Sequence, residues 1–305
     1  MEKIDLIFDT DAGSDCDDIM AMAYLLYAKR NLNVNIKAVT HCLSTPYGVP
    51  AMRSFFRYFK EEIPEVGKMV GGATLKDGYC KEMAEKFATK EDYDEAPDAA
   101  KVLRRALVTS ENKCVICAVG QFTNIGALLQ SPADEISPLN GVELVKEKCS
   151  KFAIMAGKFV EGEDGIRTAD WNIKWDVPAT KAFFELSPVP IVILPSETGK
   201  PVITGERAVK KYGDSNPLTQ SFLVWHGGEI SGRHSWDPMT AIYAVEGTRE
   251  FFNESEKGNV SLTDEGVTYF EPCNEGKFTI LTLKYNDIIP EIEKYIDDCA
   301  EAILK

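Results

Sequence analysis

The sequence predicts an α/β protein with an open, largely parallel (mixed) sheet flanked by helices. Two observations predict it: short apolar, β-branched runs recur along most of the chain, and stretches of helical pattern separate them. Residues 4–9 form the first apolar run, and a helix follows over 17–28. A second strand at 34–40 leads to a helix at 50–60, and a helix at 97–108 precedes a strand at 114–119. Beyond it come a helix at 123–130, a strand at 152–155, a helix at 178–186 and a strand at 189–194. Alternating patterns over 260–283 predict a small β meander. Ile288, Ile289, Ile292, Tyr295, Ile296, Cys299 and Ile303 trace the apolar stripe of a terminal helix, with Asp287 as its cap and Pro290 in its first turn. Right-handed crossovers between parallel strands place any ligand site at the strands' carboxyl ends. With no internal repeat and no linker rich in Gly, Pro or Ser, residues 1–305 read as one domain.

The composition narrows the function. Of 305 residues 44% are apolar and 27% charged, the proportions of an ordinary globular protein. Forty-eight acidic against 34 basic residues leave a net charge of -14, so nucleic acid and anionic membrane surfaces are poor partners. No apolar stretch reaches the roughly 18 residues of a membrane span. Met1-Glu2-Lys3-Ile4-Asp5 lacks the basic and then apolar pattern of a signal peptide, which predicts a cytoplasmic protein whose eight cysteines are thiols. Cys114 and Cys117 share an apolar run with no second pair at zinc spacing, so they read as part of a buried strand.

The chemistry concentrates in Asp9-Thr10-Asp11-Ala12-Gly13-Ser14-Asp15-Cys16-Asp17-Asp18, directly after the first strand and leading into a helix. Five carboxylates in ten residues repel one another. At the carboxyl edge of a buried strand they need a cation, and oxygen-only donors point to Ca²⁺ or Mg²⁺, with a dense cage favouring Ca²⁺. An EF-hand fails, because Gly13 falls one place early and no Glu closes the loop. Two further stretches stand out: Ser235-Trp236-Asp237-Pro238 before a helical run, where Asp237 reads equally as cap or ligand, and Val119-Gly120-Gln121-Phe122-Thr123-Asn124, a turn that exposes a carbonyl.

Together and in this order, the three stretches resemble the inosine-uridine preferring nucleoside hydrolase family. That family opens with a strand and an Asp-x-Asp-x-Gly-x-Asp-Asp loop, carries a Gly-x-x-Thr-Asn turn and returns a late Asp before a helix. The loop here is two residues longer between Gly13 and Asp17. The resemblance implies hydrolysis of the N-glycosidic bond of a ribonucleoside or related N-riboside to base and ribose, in purine or pyrimidine salvage. It further implies one Ca²⁺ held by Asp11, Asp18, Asp237 and the Val119 carbonyl, with Asp9 supporting that shell. Asp11 would take the proton of a Ca²⁺-bound water. Asp17, Asp170 and Asn172 would hold ribose hydroxyls, and Trp236 would line the base side. A homo-oligomer, dimer or tetramer, is also implied.

The chain departs from the family pattern at several places. The second strand ends Thr40-His41-Cys42 where an Asn is expected, Thr74 to Cys80 lack the His-Gly loop, and no ribose-binding Asn occurs near Glu161-Gly162-Glu163-Asp164. Trp236 stands where many members have a proton-donating His, leaving His234 and His226 as available acids and Trp225 as a second stacking ring. Two other readings stay open. Ile7-Phe8-Asp9-Thr10-Asp11 is similar to the opening of a Mg²⁺-dependent haloacid-dehalogenase-type phosphatase, with Asp9 as nucleophile and Asp11 as acid. The missing Asn and His positions also suit a Ca²⁺-dependent sugar or nucleoside binder without turnover.

Overall fold

The computed structural model describes residues 3–71 and 77–305. Its strands are β1 (Ile4–Thr10), β2 (Val34–His41), β3 (Glu65–Lys68), β4 (Cys114–Ala118), β5 (Cys149–Met155) and β6 (Ile191–Leu194). They continue with β7 (Ile203–Thr204), β8 (Arg233–His234), β9 (Phe252–Glu254), β10 (Gly258–Leu262), β11 (Thr268–Pro272) and β12 (Phe278–Leu283). One ten-stranded sheet runs β11-β10-β12-β6-β5-β4-β1-β2-β3, with β9 on β12, while β7 and β8 form a separate antiparallel pair. Every pairing from β12 across to β3 is parallel, and β9, β10 and β11 join antiparallel at one end.

A period of two divides each central strand between two apolar layers. On β1, Leu6 and Phe8 face one layer and Ile7 the other; on β4, Val115 and Cys117 oppose Cys114, Ile116 and Ala118. Helices Asp17–Asn31, Gly48–Tyr58, Tyr79–Phe87, Trp236–Glu246 and Ile289–Leu304 pack in the first layer, and Ala99–Val108, Thr123–Gln130, Gly141–Lys148 and Val177–Leu186 in the second. Burial on both faces explains why these strands read as continuous apolar runs. Each fully enclosed Leu, Ile or Phe contributes roughly 1.5–3 kcal/mol. All eight cysteines are free, with Cys114 and Cys117 buried in β4. No helix among the described residues is long and apolar enough to cross a membrane.

The predicted strands and helices occur close to their expected bounds, and several elements differ or were not expected. β3 carries charge at both ends in Glu65 and Lys68, so its short buried centre leaves no apolar run to read. The expected meander is reordered: β10, not β11, lies beside β12, with Gly258 opposite Phe278. Any Cβ on Gly258 would sit 2.5 Å from the Glu271 carbonyl of β11, so the close pairing of β10 with β11 at this position needs glycine. Asp287 does not cap the terminal helix. It lies in a 3₁₀ turn, Asn286–Ile288, and the helix begins at Ile289 with Pro290 in its first turn. Helix Gly141–Lys148, which the apolar pattern did not signal, starts at a capping box in which Asn140 and Glu143 each accept the other's backbone N–H at 3.0 Å.

Candidate active site

From β1 the chain steps to β2 and β3 on one side, then returns to β4, β5 and β6 on the other. The order reverses between β1 and β4, and the carboxyl ends of these neighbours open the crevice in which open α/β sheets bind ligands. Residues 11–16 turn out of β1 into helix Asp17–Asn31, and Gly13 (φ +114°) supplies the positive φ of the turn. After β4, a Cβ on Gly120 would lie 2.7 Å from the Asp11 Cβ, so glycine lets the two loops meet. Helix Trp236–Glu246 packs beside helix Asp17–Asn31 and brings Asp237 to the same edge. Its cap position is Ser235, so Asp237 sits inside the first turn rather than capping it.

Carboxylate oxygens of Asp17, Asp18 and Asp237 come within 4.8 Å of one another, and all three residues are buried. The Thr10 hydroxyl donates to Asp18 Oδ1, while Asp18 Oδ2 is buried with no hydrogen-bond partner. Asp17 Oδ2 accepts the Asp237 backbone N–H at 3.1 Å. Asp11 accepts the Ser14 hydroxyl at 2.6 Å, and its charge acts on both Asp18 and Asp237. Beneath them Asp9, fully enclosed, accepts from Thr40 Oγ1 at 2.5 Å and Asn124 Nδ2 at 2.8 Å.

Burial, followed by mutual repulsion, raises Asp17, Asp18 and Asp237 well above the usual carboxylate range. Burial also pushes Asp11 up to about 6 and Asp9 up to about 7. An oxygen-only donor set, an unpartnered buried carboxylate oxygen and this concentration of negative charge fit a hard divalent cation.

That charge makes a stability prediction. Asp9 and Asp11 bind protons more tightly folded than at their ordinary 3.8. Without metal their contribution is therefore full below that value and is lost as pH rises through about 6 to 7. The melting temperature of chelator-treated protein is expected to fall between pH 5 and pH 8, and added Ca²⁺ is expected to restore it at pH 8. A flat pH dependence without metal would contradict this account of the cluster.

The remaining expected residues surround these carboxylates. Asp170 caps a short helix by accepting the Asn172 backbone N–H at 3.0 Å, and its second oxygen accepts the Ser196 hydroxyl at 2.6 Å. Asn172 directs its amide nitrogen to the carbonyls of Val119 at 2.7 Å and Met155 at 3.1 Å, clamping the ends of β4 and β5 together. The Trp236 indole N–H donates to the Ser196 carbonyl at 2.7 Å. Thus Asp9, Asp11, Asp17, Asp18, Val119 and Asp237 share the β1–β4 crevice, while Asp170, Asn172 and Trp236 converge through Ser196 and Val119. His41, at the expected Asn position, is buried with Nε2 2.8 Å from the Ala12 carbonyl, so it braces the acidic loop. Residues 74–76 of the Thr74–Cys80 stretch lie outside the described residues.

Sequence reasoning gave no role to Thr40, Asn124, Ser14, Asp15 or Arg233. Asn124 closes the Gly-x-x-Thr-Asn turn, a signal that could have marked it as the partner of Asp9.

The family model of the inosine-uridine preferring nucleoside hydrolases matches residues 6–282. The chain belongs to this family. Its fold is similar to that of a purine-preferring ribonucleoside hydrolase from Gardnerella vaginalis, with a TM-score of 0.73 and 18% identity over 98% of this chain and 99% of that one. An inosine-uridine preferring nucleoside hydrolase from Bacillus anthracis gives 0.70 and 18% over 98% and 99%. The type III effector protein XopQ, solved with adenosine diphosphate ribose, gives 0.71 and 15% over 99% and 95%. At these identities the likeness concerns the fold. No curated protein matches the chain by sequence. As a nucleoside hydrolase family member with the family's fold, the chain is supported as an N-glycosyl hydrolase of small-molecule nucleosides.

Proposed function

We propose that this nucleoside hydrolase family member cleaves ribonucleosides or related N-ribosides to free base and ribose with Ca²⁺ as its resident ion. The observation that carries the reading is the buried Asp17–Asp18–Asp237 oxygen cluster at the β1–β4 switch point, with Asp18 Oδ2 unpartnered. Asp11, Asp18, Asp237 and the Val119 carbonyl would hold the ion, with Asp17 beside them and Asp9 bracing from below. When bound, the ion supplies acidification of water and a grip on two ribose hydroxyls.

The chain's own residues do the rest. Asp11 takes a proton from the attacking water; held at about 6 by burial, its carboxylate is ionised at neutral pH yet basic enough to accept. Asp17 and Asp170 receive ribose hydroxyls, and Asn172 fixes the Val119 carbonyl. The surrounding carboxylates favour the cationic, oxocarbenium-like sugar of the transition state. A phosphatase reading is not favoured, because Asp9, its nucleophile, is fully enclosed beneath the crevice, with Oδ1 accepting from Thr40 and Asn124. A single domain over residues 1–305, a cytoplasmic location and a role in nucleoside salvage belong to the same proposal, as does a dimer or tetramer, which the family resemblance supports.

Trp236 borders the base end in this reading. Trp236→Ala is expected to change KM or the ranking of bases more than kcat. Steady-state constants on inosine, adenosine, uridine and cytidine check this, and an unchanged profile would remove Trp236 from the pocket wall.

A further inference from the structure

When the C1′–N bond breaks, its electron pair departs on the base, and none of the residues assigned above meets that charge. Trp236 spends its N–H on the Ser196 carbonyl. His226 and His234 each bury one ring nitrogen without a partner, and burial together with the Arg233 charge lowers both, which favours neutral rings.

Arg233 stands among these groups. Its guanidinium lies over the Trp225 ring at 5.4 Å and the Trp236 ring at 5.0 Å. Nε donates to Asp15 Oδ1 at 2.8 Å and Oδ2 at 3.1 Å, and Nη2 donates to Oδ2 at 2.6 Å. Nη1 donates to no protein atom among the described residues. The side chain is 25% exposed, enough for a ligand to reach it. Asp15 belongs to the lengthened part of the acidic loop, and the charge of Asp17 acts on Arg233, which places the guanidinium beside the carboxylate cluster. A two-point grip on a planar fork between two indoles fixes where the free donors point.

We propose that Arg233 stabilises the leaving base through hydrogen bonds from Nη1, with Asp15 as its positioning residue and the Trp225 and Trp236 rings as flanking walls. The inference rests on the hydrolase reading and deepens it. The C1′–N bond breaks with its electron pair on the base nitrogen, and the water oxygen bonds to C1′. One water proton stays on the new hydroxyl; the other passes to Asp11 and then through solvent to the base. Arg233 keeps its protons throughout, because a guanidinium does not titrate in this range. The favoured substrates are bases that leave as anions with a carbonyl or ring-nitrogen acceptor facing the guanidinium.

The test compares inosine and uridine with 4-nitrophenyl β-ribofuranoside, whose leaving anion needs little help. Arg233→Gln is expected to lower kcat/KM on inosine and uridine by about 100-fold, the scale of losing one transition-state donor. The loss on the nitrophenyl riboside is expected to be at least tenfold smaller. Arg233→Lys, which keeps the charge but not the fork, should recover part of the difference, and Asp15→Asn should shift the same ratio in the same direction. Circular dichroism and melting temperature verify folding of each variant. Equal losses on all three substrates, or a selective loss reproduced by His234→Gln instead, would overturn the assignment. Wild-type protein that cleaves the nitrophenyl riboside but neither nucleoside would overturn this inference and leave the hydrolase reading standing. Cleavage of none of the three would overturn both.

Discussion

Asp11→Ala is expected to lower riboside turnover by at least about 1,000-fold, a barrier increase of about 4 kcal/mol, while the fold stays intact. The carboxylate lies at the mouth of the β1–β4 crevice and accepts the Ser14 hydroxyl at 2.6 Å. It crosses no layer of the core, so its loss does not undo the packing of Leu6, Ile7 and Phe8 behind it. Asp11→Asn sharpens the test, because the amide oxygen can still accept from Ser14 but cannot take a proton from water. Ribose release measures the loss, and circular dichroism with melting temperature checks the fold. Activity of either variant within about tenfold of wild type, roughly 1.4 kcal/mol, would remove Asp11 as the base.

Asp18→Asn is expected to weaken Ca²⁺ binding by at least about 100-fold, near 2.7 kcal/mol, and to abolish detectable turnover with it. Asp18 is fully buried, has one oxygen without a partner and feels the charges of Asp11 and Asp17. Its amide analogue keeps an acceptor for the Thr10 hydroxyl but removes a charge that is costly without metal. The substitution should therefore raise the melting temperature of chelator-treated protein at pH 8 while lowering that of Ca²⁺-loaded protein. Calorimetric titration with Ca²⁺ and paired melts read both effects. Wild-type affinity in Asp18→Asn would place the ion elsewhere.

The fold was legible where one strand's chemistry carried it. β1 and β4 bury both faces, so Leu6, Ile7 and Phe8, and likewise Val115, Ile116 and Cys117, read as unbroken apolar runs. The acidic loop was legible because so many carboxylates after a buried strand have no ordinary structural purpose. Asp237 alone was ambiguous between cap and ligand, and only its order behind the other two stretches gave it a role. What escaped the sequence depends on distant side chains. Thr40 and Asn124 reach Asp9 from 31 and 115 residues away, and Arg233 reaches Asp15 across 218. Local pattern holds no trace of such pairs. Asn172 shows the same limit differently: the family resemblance implies a sugar contact for it, and no local pattern shows that its amide nitrogen also joins the carbonyls that end β4 and β5. β10 lies beside β12 through the single pairing of Gly258 with Phe278, a strand order that alternation cannot express.

The central claim is tested most directly by measuring free ribose and free base released from purine, pyrimidine and nicotinamide ribosides, with added Ca²⁺ and with chelator, alongside metal content of the same sample. The account predicts equimolar release of both products, bound Ca²⁺ in the active sample and loss of release once the metal is removed. No release from any riboside while Ca²⁺ remains bound would contradict it, and would identify the carboxylate site as that of a binder or of an enzyme for another glycoside.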